Sequence, residues 1–278
     1  MRRRGGLVAT TNWHTPQYSP LATDEGALAE LIRAALQLTT VRLDLSFVDE
    51  ASGVVATCAR VARAERFHHR ARTMQRSPHL EIEGEWSAYE AGLPSRKTGK
   101  YRRFRRRLEE QGEVAFELSD GGTRLDELHR EGFRVEAAGY EERAERGTPI
   151  LARPETTRFY TEVPQWAAER GWLRLWMLRL DGAPIAFAYG LEHGGVYFDL
   201  KLGFDPRFSR FGPGVLLMRE RFQHAFTASL ERFEFLGAAE RHKLDWTDTC
   251  HELPRIQRSR PPFRGWRAGW RGNAGGHC

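Results

Sequence analysis

Apolar residues recur along this chain at two periods, and the alternation between them lays out its elements. Residues 1–23 have no periodicity and contain Pro16 and Pro20, which reads as an extended lead-in. Leu28, Leu31, Ile32 and Leu36 then share one face of a helix that Asp24 can cap, ending near Leu38. Val41, Leu43, Leu45 and Phe47 alternate as a half-buried strand, followed by a helix near residues 53–65 and strands near 67–73 and 79–82. A short helix near 85–93 leads to a second one from Pro94 or Ser95, with Tyr101, Phe104 and Leu108 about a turn apart and arginines on the other faces. Val114, Phe116 and Leu118 form a strand, Asp120-Gly121-Gly122 a turn, and Thr123 with Asp126 the cap of a helix to about residue 138.

The second half is more regular. A helix near 156–170 has Phe159, Val163 and Trp166 on one face, and Pro164 within it should kink it. Three apolar strands near 173–180, 185–191 and 196–202 are joined by Asp181-Gly182 and His193-Gly194-Gly195, strong signals for an antiparallel meander. The last strand runs into a loop closed by Gly212-Pro213-Gly214, then a helix, a strand near 233–236, and a glycine-led loop carrying Lys243 and Trp246. The predicted fold class is mixed α/β.

Strand, glycine loop and helix in that order bring backbone N–H groups and a positive helix end together on an anion. Glycine lets the chain approach a phosphate closely, and Pro213 suits a first helical turn, where its missing N–H is not needed. On the strand before the loop, Asp199 and Lys201 are two residues apart, and simple alternation puts them on one face, opposite Phe198 and Leu200. Asp199 is a candidate general base, and pairing with Lys201 is the alternative role for it. The paired His68-His69 and the lone His224 have no ligand-like partners, so no metal site is expected.

Composition narrows the setting. With 278 residues, 40% hydrophobic and 29% charged, the chain has the make-up of a soluble globular protein. No apolar run reaches the ~18 residues of a membrane span, and the basic start lacks the apolar core of a secretory signal. Cys58, Cys250 and Cys278 are far apart and odd in number, as expected of reduced thiols in a cytoplasmic protein. The net charge of +6 is carried almost wholly by arginine, the lysines being Lys97, Lys100, Lys201 and Lys243. Such a balance fits an anionic partner. The arginine-rich helix over 96–110 is a candidate wall for one, the alternative being a solvated amphipathic face.

Several of these stretches together resemble a known family. Arg96–Leu108, Leu178–Phe187, Tyr197–Asp205, Gly212–Leu216 and Gly237–Trp246, in that order, are similar to the tandem-GNAT acyltransferases that include BioF2-like and cellulose-biosynthesis CelD-like proteins. Fem-type aminoacyl transferases of peptidoglycan are more distant relatives. GNAT enzymes hold the coenzyme A pyrophosphate on a loop of the form Arg/Gln-x-x-Gly-x-Gly/Ala. Here the six residues are Ser209-Arg210-Phe211-Gly212-Pro213-Gly214, with both glycines kept and Arg210 one place late. Upstream, Glu136, Gly139, Gly147 and Thr148 match the family pattern, whereas Tyr140 and Glu141 stand where it has Trp and Lys. Lys243 matches a lysine of the family's Gly…Tyr-Lys…Trp signature, with His242 in the place of the tyrosine.

The resemblance implies two GNAT-like halves, the first reading as truncated: residues 1–120, residues 121–255 with the acetyltransferase site, and an Arg/Gly/Pro-rich tail over 256–278. It implies N-acyl transfer from acetyl-CoA or another acyl-CoA to a small-molecule or sugar amine. Leu200 and Leu202 would bind the pantetheine arm through their backbone, and Arg210, Phe211, Gly212, Gly214 and Val215 would hold the pyrophosphate. Lys243 and Asp199 are the candidate catalytic residues. Two alternatives stand beside this one: a Fem-like transferase using aminoacyl-tRNA, and a catalytically degenerate module that binds an anionic polymer or partner.

Overall fold

The computed structural model describes residues 2–3, 6–12, 14–38, 42–141 and 149–259. In chain order the elements are β1 (Arg2–Arg3), β2 (Gly6–Val8), α1 (Glu25–Leu38), β3 (Arg42–Leu45), α2 (Val54–Ala64), β4 (His68–Glu81), α3 (Trp86–Gly92), α4 (Ser95–Glu109), β5 (Val114–Ser119) and α5 (Leu125–Glu141). They continue with α6 (Pro154–Ala168), β6 (Leu173–Leu180), β7 (Ala183–His193), β8 (Val196–Phe204), α7 (Pro213–Thr227), β9 (Arg232–Glu234), α8 (Arg241–Leu244) and β10 (Cys250–Ser259). They fall into two compact units, Met1–Arg76 with His251–Cys278, and Ser77–Cys250.

In the first unit the strand order is β1-β2-β3-β10, with β2 parallel to β3 and the other neighbours antiparallel. Helices α1 and α2 bury Leu28, Ile32, Leu36, Cys58 and Val61 against Leu43, Leu45 and Ile256. Asp24 caps α1 as expected, accepting from the Ala27 N–H at 2.8 Å. Arg255 grips the buried Asp44 with two hydrogen bonds, 2.8 and 2.6 Å, and so ties β10 to β3. Two expectations change here. Gly6–Val8, read as lead-in, is a strand, and the tail starts later than residue 256. Ile256 is fully buried and faces Leu45 across the ladder. Residues 260–278 lie outside the described residues.

The second unit has strand order β4-β9-β8-β7-β6-β5, antiparallel except for β8 with β9. Alternation along β6 separates two cores. Leu173, Leu175 and Met177 pack with α5 and α6, while Trp176 and Leu178 pack with α4 and α7. The expected division near residue 120 falls inside this unit, because Val114–Ser119 pairs with six residues of β6. Likewise, the strands expected near 67–73 and 79–82 are one continuous β4. Helix α6 runs on through Pro164, which is buried.

Helix α5 lies unusually close to the sheet. Gly132, Glu136 and Gly139 share one face of it, spaced four and three residues apart. A Cβ on Gly132 would overlap the Phe187 ring, and one on Gly139 would lie 3.1 Å from the Phe204 carbonyl oxygen. From the other side, a Cβ on Gly203 would come within 2.8 Å of the Glu136 Cα. Missing side chains thus let the helix settle onto β7 and β8. Gly99, in α4, has open space around it. Alanine there should raise stability by about 0.5–1 kcal/mol through helix propensity alone. Gly132→Ala should instead lower it by about 1–3 kcal/mol, since overpacking outweighs the propensity gain. Urea unfolding of the two variants checks the contrast, and equal effects would contradict this packing.

Candidate active site

The site is built around an irregularity in β8. Opposite it on β7, Tyr189 pairs with Lys201 and Gly190 with Asp199, so Leu200 is one residue too many. An extra residue in one strand breaks the in–out alternation of side chains. Asp199 therefore faces α7, where its carboxylate binds the Arg221 guanidinium. Leu200 and Lys201 both turn toward α5: Leu200 packs into that core, and Lys201 Nζ lies 2.7 Å from Glu136 Oε1. Leu202 is back on the α7 side. The expected shared face of Asp199 and Lys201, and the pair between them, are thus overturned by the bulge.

Arg221 is fully buried and Asp199 nearly so. Burial pushes the Asp199 carboxyl above its ordinary range, against the pull of the adjacent Arg221. Glu136 is buried too, and its second oxygen accepts the Ile150 N–H at 3.0 Å. One ion pair on each face therefore pins β8 at the bulge.

Beyond the bulge β8 loses a neighbour. Its parallel pairing with β9 covers only Val196–Phe198 against Arg232–Glu234. On the β7 side the ladder continues to Asp205, whose N–H donates to the Ile185 carbonyl at 2.9 Å. Since hydrogen-bonded and non-hydrogen-bonded pairs alternate in an antiparallel ladder, the N–H and C=O groups of Leu202 and Phe204 point away from β7, to the side β9 has left.

After β8, Asp205 opens a 3-10 turn over Pro206–Phe211, accepting from the Arg207 N–H at 3.0 Å and gripping the Arg207 side chain. Gly212 ends the turn at φ 59°, ψ 46°, a left-handed conformation, and a Cβ there would overlap the Phe104 ring of α4. Helix α7 begins at Pro213, with no side chain capping it and no acidic residue in its first turn. The N–H groups of Val215 and Leu216 both reach the Gly212 carbonyl at 3.0 Å. The absent side chain of Gly214 points toward Leu202 and Phe204, at ordinary contact distances of 3.5–3.6 Å.

Three cations surround this helix start. Arg210 lies over the Phe211 ring at 4.6 Å, Arg107 approaches the same ring at 6.0 Å, and Lys100 lies 5.5 Å from the centre of Phe104. Among the described residues no carboxylate pairs with any of the three, whereas Arg105 and Arg106 are answered by Glu109 and Glu110. Lys100, Arg102, Arg103 and Arg107 are all exposed on the arginine-rich helix, and of these Lys100 and Arg107 lie beside the rings that border the glycine loop.

On the other side of the gap, Leu236 (φ 52°) and Gly237 (φ 64°) turn the chain from β9 toward α8. Lys243 Nζ donates to the Leu236 carbonyl at 2.8 Å and to the Ala238 carbonyl at 3.2 Å, with Glu240 Oε2 at 3.5 Å. Its donors are thus engaged within its own loop. Trp246 packs against Phe222 at 4.9 Å. The structure brings Leu202, Gly212, Gly214 and Arg210 to one end of the gap and sets Asp199 and Lys243 at the other. Sequence reasoning missed Arg221, and it offered the helix over 96–110 as a candidate anion wall without singling out Lys100 and Arg107. Arg221 left one sign, as an arginine four residues from both Leu217 and Ala225 on the buried face of α7.

A mixed sheet whose parallel strands part beside a glycine loop and an uncapped helix is the architecture of an acyltransferase of the GNAT class. The acetyltransferase (GNAT) domain family matches residues 95–244, 150 of the 278, and the chain belongs to that family. No curated protein matches it in sequence. Among solved structures, the C-terminal domain (DUF2156) of a putative lysylphosphatidylglycerol synthetase from Agrobacterium fabrum is similar, with a TM-score of 0.57 at 16% identity over 86% of this chain and 73% of that one. L-PGS from Bacillus licheniformis gives 0.56 at 11% identity, over 85% and 73% of the two chains. FemX gives 0.60 at 12% identity, over 84% and 77%. At these identities the likeness is one of fold.

The buried Asp199–Arg221 pair yields a direct test. Asp199→Asn strands a buried guanidinium and should cost about 3–5 kcal/mol, whereas Asp199→Leu combined with Arg221→Met should cost far less or nothing. Urea midpoints of the single and double variants decide this, and a single variant within about 1 kcal/mol of wild type would contradict the pairing.

Proposed function

We propose that this protein is an N-acyltransferase that takes acetyl-CoA or another acyl-CoA as donor and passes the acyl group to an amine. The observation that carries this reading is the open edge of β8 running into an uncapped helix start with three unanswered cations. The backbone groups of Leu202 and Phe204 would bind the amide-bearing pantetheine arm. The first turn of α7, with Lys100, Arg107 and Arg210, would hold the pyrophosphate. A thioester laid along that edge would bring its carbonyl to the bulge at Leu200. Acyl transfer to an amine then needs mainly alignment of the two reactants and a means of taking up a proton. In this arrangement Lys243 holds its loop in shape, and Asp199, tied to Arg221, supports the strand. Cysteines Cys58 and Cys250 outside any disulfide, together with a coenzyme A donor, favour a cytoplasmic setting. No described helix is long and apolar enough to cross a membrane.

A second reading is favoured by one feature. Arg96, Arg102 and Arg103 extend the positive charge of α4 beyond what a pyrophosphate needs, which suits a longer polyanion such as aminoacyl-tRNA in a Fem-like reaction. Thermal denaturation separates the two. Coenzyme A at 100 times its Kd should stabilise the fold by about 2.7 kcal/mol, and uncharged tRNA should not. Arg107→Glu with Arg210→Glu should weaken coenzyme A binding at least tenfold by calorimetry and leave the unliganded Tm within a few degrees. A shift with tRNA and none with coenzyme A would select the second reading, and a response to neither would sink both.

A further inference from the structure

The geometry points to a proton acceptor for the transfer step that has been given no role above, the imidazole of His242. This rests on the N-acyltransferase reading. Parallel pairing of β8 with β9 ends at Phe198 and Glu234, so Asp199 is the first β8 residue inside the gap. On the opposite wall the chain turns at Leu236 and Gly237 and enters α8, which carries His242. That wall is held firmly. Lys243 clamps the Leu236 and Ala238 carbonyls, Trp246 packs on Phe222, and Tyr89 Oη donates to the Trp246 carbonyl at 2.9 Å. Yet the His242 side chain remains 60% exposed, open to a substrate. It is also close enough to Asp199 for each charge to act on the other.

The groups facing His242 set its protonation. Glu240, whose Oε2 lies 3.8 Å from Nε2, Asp199 from β8 and Asp245 favour the charged imidazolium. Lys243 disfavours it, and partial burial disfavours it most, so the imidazole titrates below its ordinary range. It is then neutral near pH 7, with a lone pair free to take a proton. Asp199, held by Arg221, is poorly placed to take that proton itself, and its charge instead supports the imidazolium once formed. In the step, the amine nitrogen attacks the thioester carbonyl carbon and a C–N bond forms. The proton on that nitrogen passes to His242. The C–S bond breaks, and the departing sulfur is reprotonated by the imidazolium, leaving an amide and a free thiol.

His242→Gln removes an exposed side chain and should leave the fold intact. Acetyl-CoA affinity by calorimetry should be unchanged, while thiol release from acetyl-CoA with hydroxylamine as acceptor should fall about 10²–10⁴-fold. The acidic limb of the pH–rate profile, where activity rises as His242 loses its proton, should disappear with it. Independently of turnover, the His242 resonance, assigned by its loss in the variant, should titrate below the usual imidazole midpoint and shift when acetyl-CoA is added. If acetyl-CoA binds but leaves that resonance and its midpoint unmoved, or the variant keeps its rate and acidic limb, the assignment is overturned. Absence of acetyl-CoA binding in the wild type would instead sink the donor reading, and the assignment with it.

Discussion

Backbone N–H and C=O groups cannot be left without partners away from water, and β8 meets that requirement asymmetrically. Along β7 its ladder runs to Asp205, but along β9 it stops after three residue pairs. The groups of Leu202 and Phe204 on the open side are left to water or to a ligand that presents amides of its own. Everything proposed for the site follows from that edge and from where it leads, the start of α7 at Gly212 and Pro213.

Such a gap has to be held open, and buried charge holds it. Asp199 with Arg221 on one face and Lys201 with Glu136 on the other leave β8 little freedom to slide, because a shift in register would separate two buried pairs at once. The bulge at Leu200 makes both pairs possible by turning neighbouring acidic and basic residues to opposite sides. The glycines of α5 bring Glu136 near enough to reach Lys201. Packing, register and electrostatics thus bear on one short stretch of strand.

Much of this was legible in the chain itself. The Asp181-Gly182 and Gly194-Gly195 turns fixed the meander, and Gly212-Pro213 marked the loop and helix start, since local chemistry dictates both. The bulge was not legible, because perfect alternation and a one-residue slip look alike until the partner strand is known. Asp199 and Lys201 were consequently placed together. The helix over 96–110 was legible only as a candidate anion wall or a solvated face, because a cationic helix reads the same whether it faces solvent or a loop distant in sequence. That Lys100 and Arg107 lie beside Phe104 and Phe211 came from the fold. β10 escaped because its buried Leu253 and Ile256 sit among polar residues, and Ile256 pairs with Leu45 of β3, about 200 residues earlier.

Residue-resolved hydrogen exchange with coenzyme A tests the open edge most directly. At saturation the amides of Leu202, Phe204 and Gly214 should exchange at least tenfold more slowly than in the free protein. Adenosine 3′,5′-bisphosphate, which lacks the pantetheine arm, should leave Leu202 and Phe204 unprotected. If coenzyme A binds yet leaves those two amides exchanging as before, the edge of β8 does not hold the donor, and the account fails at its centre.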